Sequence, residues 1–187
     1  MNSIGNDRIK AVVNKVLLSV DTISNYIKYL QDAFIIDKAL RYDVKGKSYI
    51  STPYKVYFED TGLRNAKLGF RQVEFTHLME NTIYNELRYR GYKVDVGVVE
   101  TREKNQRKQL EVDFVANEGS QRFYIQSAYD IYSEDKLLQE TKSLDNISDS
   151  FKKIIITERS IVRHHNDKGY LFLSLEDFLL NQDSLNW

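Results

Sequence analysis

Three polar side chains stand where apolar neighbours make them expensive, and these are the first candidates for chemistry. Asp113 lies in LEVDFVA, between Leu110, Val112, Phe114 and Val115. An acid inside so apolar a strand is unfavourable unless solvent or a partner reaches it. Gln126 lies thirteen residues on, in FYIQSAY. Adjacent antiparallel strands can bring these two side chains to one edge of a sheet. Glu80 lies on a long helical pattern beside Ile83 and Leu87, three and seven residues on. An acid from a helix and an acid from a strand can converge on one magnesium ion. The plainer alternative is that Glu80 and Asp113 are rim acids satisfied by Arg88, Arg90 or the backbone.

Other chemistry is thinly represented. Gly46-Lys47-Ser48 has the tail of a phosphate loop, but that motif needs a glycine at position 41, which is Arg41. The segment reads as a hairpin turn, and without a complete phosphate loop no ATP hydrolysis is expected. His77, His164 and His165 form no ligand set with carboxylates at matching spacing, and they read as surface residues. No metal site is expected from them. Neither a Ser-His-Asp set nor a nucleophile elbow is present. Two basic patches are candidates for phosphate contact: Lys45, Lys47 and Lys55 near the turn, with Lys28 on a helix, and Arg102, Lys104, Arg107 and Lys108 in a charged segment.

The elements that must position these residues follow from periodicity. Residues 4–15 read as a short helix. Ser19 and Asp21 offer N-cap oxygens to a second helix running through Ile23, Tyr26, Ile27, Leu30 and Phe34. Residues 34–42 and 49–58 are β-rich around the turn DVKGKS. A helix pair followed by a hairpin is the outline of a winged helix. A second unit is expected from residue 63 to 187, after a winged-helix-like segment over 1–62. It opens with a helix over 73–90 that Gly91 ends. Strands at 93–99, 110–116 and 122–129 follow, with a polar turn over 100–109. Then come a helix at 134–144, strands at 153–157 and 170–174, and a helix at 175–180. The fold class is α/β, a mixed sheet flanked by helices.

Composition agrees with a soluble domain: 42% apolar and 29% charged residues, with thirteen Tyr and nine Phe to fill a core. The absence of cysteine excludes disulfides and thiolate metal sites, and points to a cytoplasmic location. No apolar run approaches the roughly 18 residues of a membrane span. Net charge is zero, with nine basic and seven acidic side chains in residues 1–62 and eighteen and twenty in the rest. Any DNA contact must therefore come from a local patch.

Several motifs together resemble one family over nearly the whole chain. SVDTISNYIKYLQDAFIIDKALRYDVKGK is similar to the helix-turn-helix and wing that follow the motor of archaeal- and bacterial-type AAA ATPases. YKVYFEDTGLRNA resembles the Lys-x-Tyr-x-x-Asp-x-Gly-Leu-x-Asn signature that opens their C-terminal domain of unknown function. LMENTIYNELRYRGYKVDVG, LEVDFVA and FYIQSAYDI follow in the same order. The resemblance implies a restriction-endonuclease-like, PD-(D/E)xK fold for residues 63–187. It puts Glu80 and Asp113 in the first two acid positions, Gln126 in place of the second strand acid and Ala128 in place of the lysine. Alanine cannot orient or deprotonate a water. What the resemblance implies is a non-catalytic accessory domain with a degenerate site, serving partner or DNA interaction. The alternatives are a metal-dependent nuclease and a winged-helix DNA-binding module. It further implies an ATPase module acting in cis, N-terminal to this region. ATP and magnesium belong to that module and no cofactor to this chain. With two carboxylates and one amide, the site is expected to hold metal weakly or not at all.

Overall fold

The structure is a computed structural model that describes residues 3–4, 19–71, 74–103, 106–129, 131 and 133–187. The helix expected over 4–15 therefore lies outside the described residues, except for Ile4, and so does Lys104. The strands are β1 Ser3–Ile4, β2 Ile36–Asp43, β3 Ser48–Phe58, β4 Lys93–Glu103, β5 Gln106–Glu118, β6 Gln121–Ala128, β7 Lys152–Thr157, β8 His164–His165 and β9 Leu171–Ser174. The helices are α1 Val20–Asp32, α2 Thr61–Lys67, α3 Phe75–Tyr89, α4 Glu134–Asp145 and α5 Leu175–Leu180. Among the described residues the strands make one mixed sheet in the order β1-β3-β2-β4-β5-β6-β7-β9-β8. Strands β2 and β4, β6 and β7, and β7 and β9 run parallel, and the other neighbours are antiparallel.

Helix α3 sets one layer. Its Met79, Ile83, Tyr84 and Leu87 are buried at helical spacing. The chain leaves it through Gly91 at φ 92°, where Tyr92 N–H donates to Leu87 O at 3.1 Å, closing the helix end. With Phe178 of α5 this layer covers Val94, Val96, Phe114, Ile125 and Ile156. Helix α4, capped by the Ser133 hydroxyl, puts Leu144 on the other face against Val112, Val115, Tyr124 and Ile155. The expected mixed sheet with flanking helices is thus the architecture observed. Among the described residues, no helix is long and apolar enough to cross a membrane.

Two expectations change. The hairpin read as a wing is an inner part of the main sheet, because Arg41 of β2 pairs in parallel with Val96 of β4. Its far end curls over the α3 face, so that Tyr57 stacks on Tyr84 at 4.0 Å between ring centroids and lies 6.1 Å from Phe114. The sheet therefore runs across the boundary expected at residue 62. Residues 100–103 and 106–109 are the paired arms of a long β4–β5 hairpin rather than a turn, with Arg102 opposite Arg107. Both faces of these arms carry polar residues, so the alternation that marks a half-buried strand is missing there.

A bulge interrupts β5. Asp95 pairs with Val115 and Gly97 with Val112, so Asp113 and Phe114 together face the single residue Val96. Such an extra residue bends the strand and re-aims its side chains. Here it brings Val112 and Val115 together over Gly97, where a Cβ would lie 2.9 Å from Val112 Cβ and 2.9 Å from Val115 Cγ2. Gly97→Ala is expected to destabilise the fold by about 1–3 kcal/mol, the usual range for overpacking. Urea unfolding measures this, and an unchanged midpoint would show that the bulge tolerates a methyl group.

Candidate functional site

The bulge sits at a fork in the sheet. The β5–β6 ladder ends at the Phe114–Ile125 pair, while β6 stays paired with β7 as far as Ala128 and Thr157. Backbone groups freed at the fork find side chains. Asp113 Oδ2 accepts from Ser127 N–H at 2.9 Å, and Gln126 Oε1 accepts from Asp113 N–H at 3.4 Å. Buried N–H groups left without such acceptors are strongly unfavourable, so both side chains have a structural reason to be there. Glu80 arrives from α3, and Glu140 of α4 accepts from Gln126 Nε2 at 3.4 Å. Glu80, Asp113 and Gln126 line one notch of about 240 Å³, with Thr76, His77, Ser127, Tyr129, Lys136 and Glu140. The three residues singled out from the sequence are thus brought together.

Beside Glu80 and Asp113 lies an ammonium group. Lys55 Nζ is 2.7 Å from Glu80 Oε1, 2.7 Å from Glu111 Oε1 and 3.7 Å from Asp113 Oδ1. Lys55 is 8% exposed. The Tyr57 hydroxyl donates to the same Glu80 oxygen at 2.7 Å, and Arg41 Nη2 binds the second oxygen of Glu111 at 2.7 Å. Lys55 and Tyr57 reach the site together because residues two apart on a strand share a face and the hairpin curls over α3.

Charge and burial act in opposite directions here. Burial, then the nearby Glu80, pushes the Asp113 carboxyl up to about 7, against the pull of Lys55 and the Ser127 N–H. Burial pulls Lys55 down, but Asp113, Glu80 and Glu111 outweigh it and hold the ammonium above its ordinary value. Burial and Glu80 push the Tyr57 phenol well up, so it stays a donor. Burial also raises Glu140.

Several sequence-based assignments are corrected by this geometry. Lys55 is not a surface cation available to phosphate, since its ammonium is enclosed by three carboxylates. Arg88 and Arg90 do not satisfy Glu80 or Asp113: Arg88 Nε lies 3.3 Å from Asp37 Oδ2, and Arg90 Nε binds Glu86 at 2.8 Å. His77 lines the notch, and its Nε2 lies 3.0 Å from Glu74 Oε2. Tyr129 stacks on Phe75 at 6.4 Å and closes one wall. Ala128, the position implied for a lysine, is 1% exposed in the α4-facing core. Lys28, Lys45 and Lys47 are exposed, and Lys45 and Lys47 lie in the β2–β3 turn. His164 and His165 are exposed on β8, stacked on Phe172 and Trp187.

The sequence reading missed Glu111, Tyr57, Arg41 and Glu140 as members of the site. Glu111 was within reach of inspection, since it stands two residues before Asp113 in the same strand. The other three come from elements whose approach depends on how the sheet curls.

A divalent cation would need deprotonated oxygen ligands with open coordination positions. Here Lys55 already holds Glu80 and Glu111, burial raises the Asp113 carboxyl above the usual carboxylate range, and Gln126 is uncharged. Among the described residues, no group of three or more His, Cys, Asp or Glu side chains could hold a metal ion. The residues present do not fit a magnesium site.

Comparison with known proteins places these elements in context. Residues 75–178 match the family described as Domain of unknown function (DUF4143), and residues 2–74 match Domain of unknown function (DUF8612). An uncharacterized protein of Haemophilus influenzae is 36% identical over 166 residues, covering 89% of this chain and 38% of its own length. One of Methanocaldococcus jannaschii is 27% identical over 160 residues, covering 86% of this chain and 34% of its own. The chain thus spans little more than a third of each relative. No solved structure matches it.

Proposed function

The chain belongs to the family described as Domain of unknown function (DUF4143), and on that premise we propose that it is a non-catalytic accessory domain of a longer AAA-type ATPase. In this reading a restriction-endonuclease-like notch has lost its cutting chemistry, and the domain serves partner or DNA interaction. An ATPase module would act in cis and supply the ATP and magnesium chemistry. The observation that carries the reading is the Lys55 ammonium at the meeting point of Glu80, Glu111 and Asp113. A lysine that orients an attacking water needs a free donor and a metal beside it. Lys55 instead neutralises the acids that would hold the metal. Its partners are part of the core that ties β3 to α3 and β5, which gives the cluster a structural role independent of catalysis.

One observation favours the nuclease alternative. Lys55 brings an amine within 3.7 Å of Asp113, and Glu140 brings a carboxylate beside Gln126. Both replace, from other elements, the groups that Gln126 and Ala128 lack. The two readings separate in one assay: labelled single- and double-stranded DNA incubated with the chain and magnesium or manganese. No cutting above background is expected. Robust cutting that disappears in Asp113→Ala would establish the nuclease alternative in its place.

A further inference from the structure

We infer that the cleft between the β2–β3 turn and the β4–β5 hairpin binds phosphate groups of a nucleic-acid backbone, through Lys45, Arg102 and Arg107. The inference rests on the binding half of the proposed function and names its ligand class and residues. It also joins two basic patches that are about sixty residues apart in sequence. Lys45, Arg102 and Arg107 line one cleft of about 590 Å³ with Asp43, Gly46 and Glu100.

The distribution of charge on the hairpin carries the inference. Glu103 is shared by Lys108, at 3.0 Å, and by Lys142 of α4, so its one negative charge is engaged there and does not offset Arg102 or Arg107. Arg102 and Arg107 are direct cross-strand partners. Like charges directly opposite on a ladder are destabilising. Both are exposed, and among the described residues no ion pair is found for either. Across the cleft Lys45 Nζ donates to Glu100 O at 2.7 Å, which fixes the ammonium in place and leaves two of its three donors for a ligand.

The acids in the cleft do not cancel this set. Asp43 Oδ1 accepts from Lys45 N–H and Gly46 N–H, both at 3.0 Å, so that oxygen is engaged within the turn. Three cations therefore face Glu100 and one partly engaged carboxylate. Guanidinium pairs suit phosphate oxygens, which they bind in a bidentate fork. With all three cations exposed at a hairpin tip and a turn, the cleft suits the open run of phosphates along a strand. In a chain of zero net charge such a local patch must carry the attraction alone.

The test is fluorescence polarisation of labelled 20-base-pair and 20-nucleotide DNA at 50–200 mM salt, with the full chain, its Arg102→Gln/Arg107→Gln double variant and Lys67→Gln. The double variant should bind duplex DNA at least about tenfold more weakly at 50 mM salt. Its slope of log affinity against log salt should be shallower by about 1.8, since each lost phosphate contact removes about 0.9. Lys67→Gln, on α2 outside the cleft, should match the parent. Failure of the parent to bind either DNA, or an unchanged salt slope in the double variant, overturns the inference. So does equal competition by ATP, which would mark a nucleotide site, or by polyglutamate, which would mark an acidic protein partner. None of these results touches the cleavage assay, so the accessory-domain reading stands or falls separately.

Discussion

Lys55→Met should unfold about 6–20 °C below the parent at pH 8. The cause is electrostatic. Removing one partner of a buried ion pair costs about 3–5 kcal/mol, because the other charge is left uncompensated. Each kcal/mol shifts the midpoint by about 2–4 °C in a chain of this size. Here the loss leaves Glu80, Glu111 and Asp113 converging with no cation among them but Arg41, which reaches only the far oxygen of Glu111, while the Tyr57 hydroxyl and the Ser127 N–H remain as neutral donors to Glu80 and Asp113. It also removes the ionic link from β3 to α3 and β5. The deficit should shrink toward pH 5, since without the ammonium the clustered carboxyls hold protons more tightly in the folded state than in the unfolded one. Lys55 does not contribute to that change. Its pKa is raised above 10.5, so its stabilisation is fully present at both pH values. Thermal unfolding followed by circular dichroism at pH 8 and pH 5 decides the matter. A variant as stable as the parent at pH 8 would mean that water already screens the acids, and the ammonium would lose its role as counter-ion.

Much of the frame behind this cluster is legible in the sequence, and the reason is local. The α3 stripe and the glycine that ends it, the β4–β5–β6 meander and the β6–α4–β7 crossover are all written in nearest-neighbour periodicity. So is the meeting of Asp113 and Gln126 just beyond the end of the β5–β6 ladder, since two apolar strands around the turn NEGS fix their register. Helix α2 carried a local signal that went unused: the Asp60 side chain accepts from Leu63 N–H at 2.9 Å, an N-cap three residues before an apolar position. The position of Lys55 is of another kind. In sequence it belongs to an exposed-looking hairpin, and only the parallel pairing of β2 with β4 and the curl of β3 over α3 carry it inside. The bulge at Asp113 is equally hidden, because it exists only relative to Val96 on the neighbouring strand. Pairwise geometry between distant segments decides both, and periodicity holds no record of it.

Asp113→Asn should be more stable than the parent at pH 8, by a margin that narrows at pH 5. Asp113 has an ordinary pKa of 3.8, raised in the fold to about 7 by burial and by Glu80. The folded chain therefore holds this proton more tightly than the unfolded one. Stability from this group is full at low pH, declines as pH rises from about 4 to about 7, and is flat above. A tenfold difference in proton affinity between folded and unfolded chains is worth about 1.4 kcal/mol, so the decline is on the order of 4 kcal/mol. Glu80, Glu111, Glu140 and Lys55 face the same space, so the parent's pH profile alone mixes several groups. The difference between parent and Asp113→Asn isolates one. Asparagine keeps an acceptor for the Ser127 N–H that Asp113 Oδ2 binds at 2.9 Å, and it removes the charge that the buried site disfavours. Urea unfolding of both proteins at pH 5 and pH 8 measures the effect. If the variant is the less stable at pH 8, attraction to Lys55 outweighs burial and Asp113 is an ionised carboxylate. That outcome matters for function too, because only an ionised Asp113 is ready to bind a metal. A carboxyl that keeps its proton close to neutrality is a poor metal ligand, and the sign of this one stability difference therefore reports whether the notch is prepared for metal chemistry or closed to it.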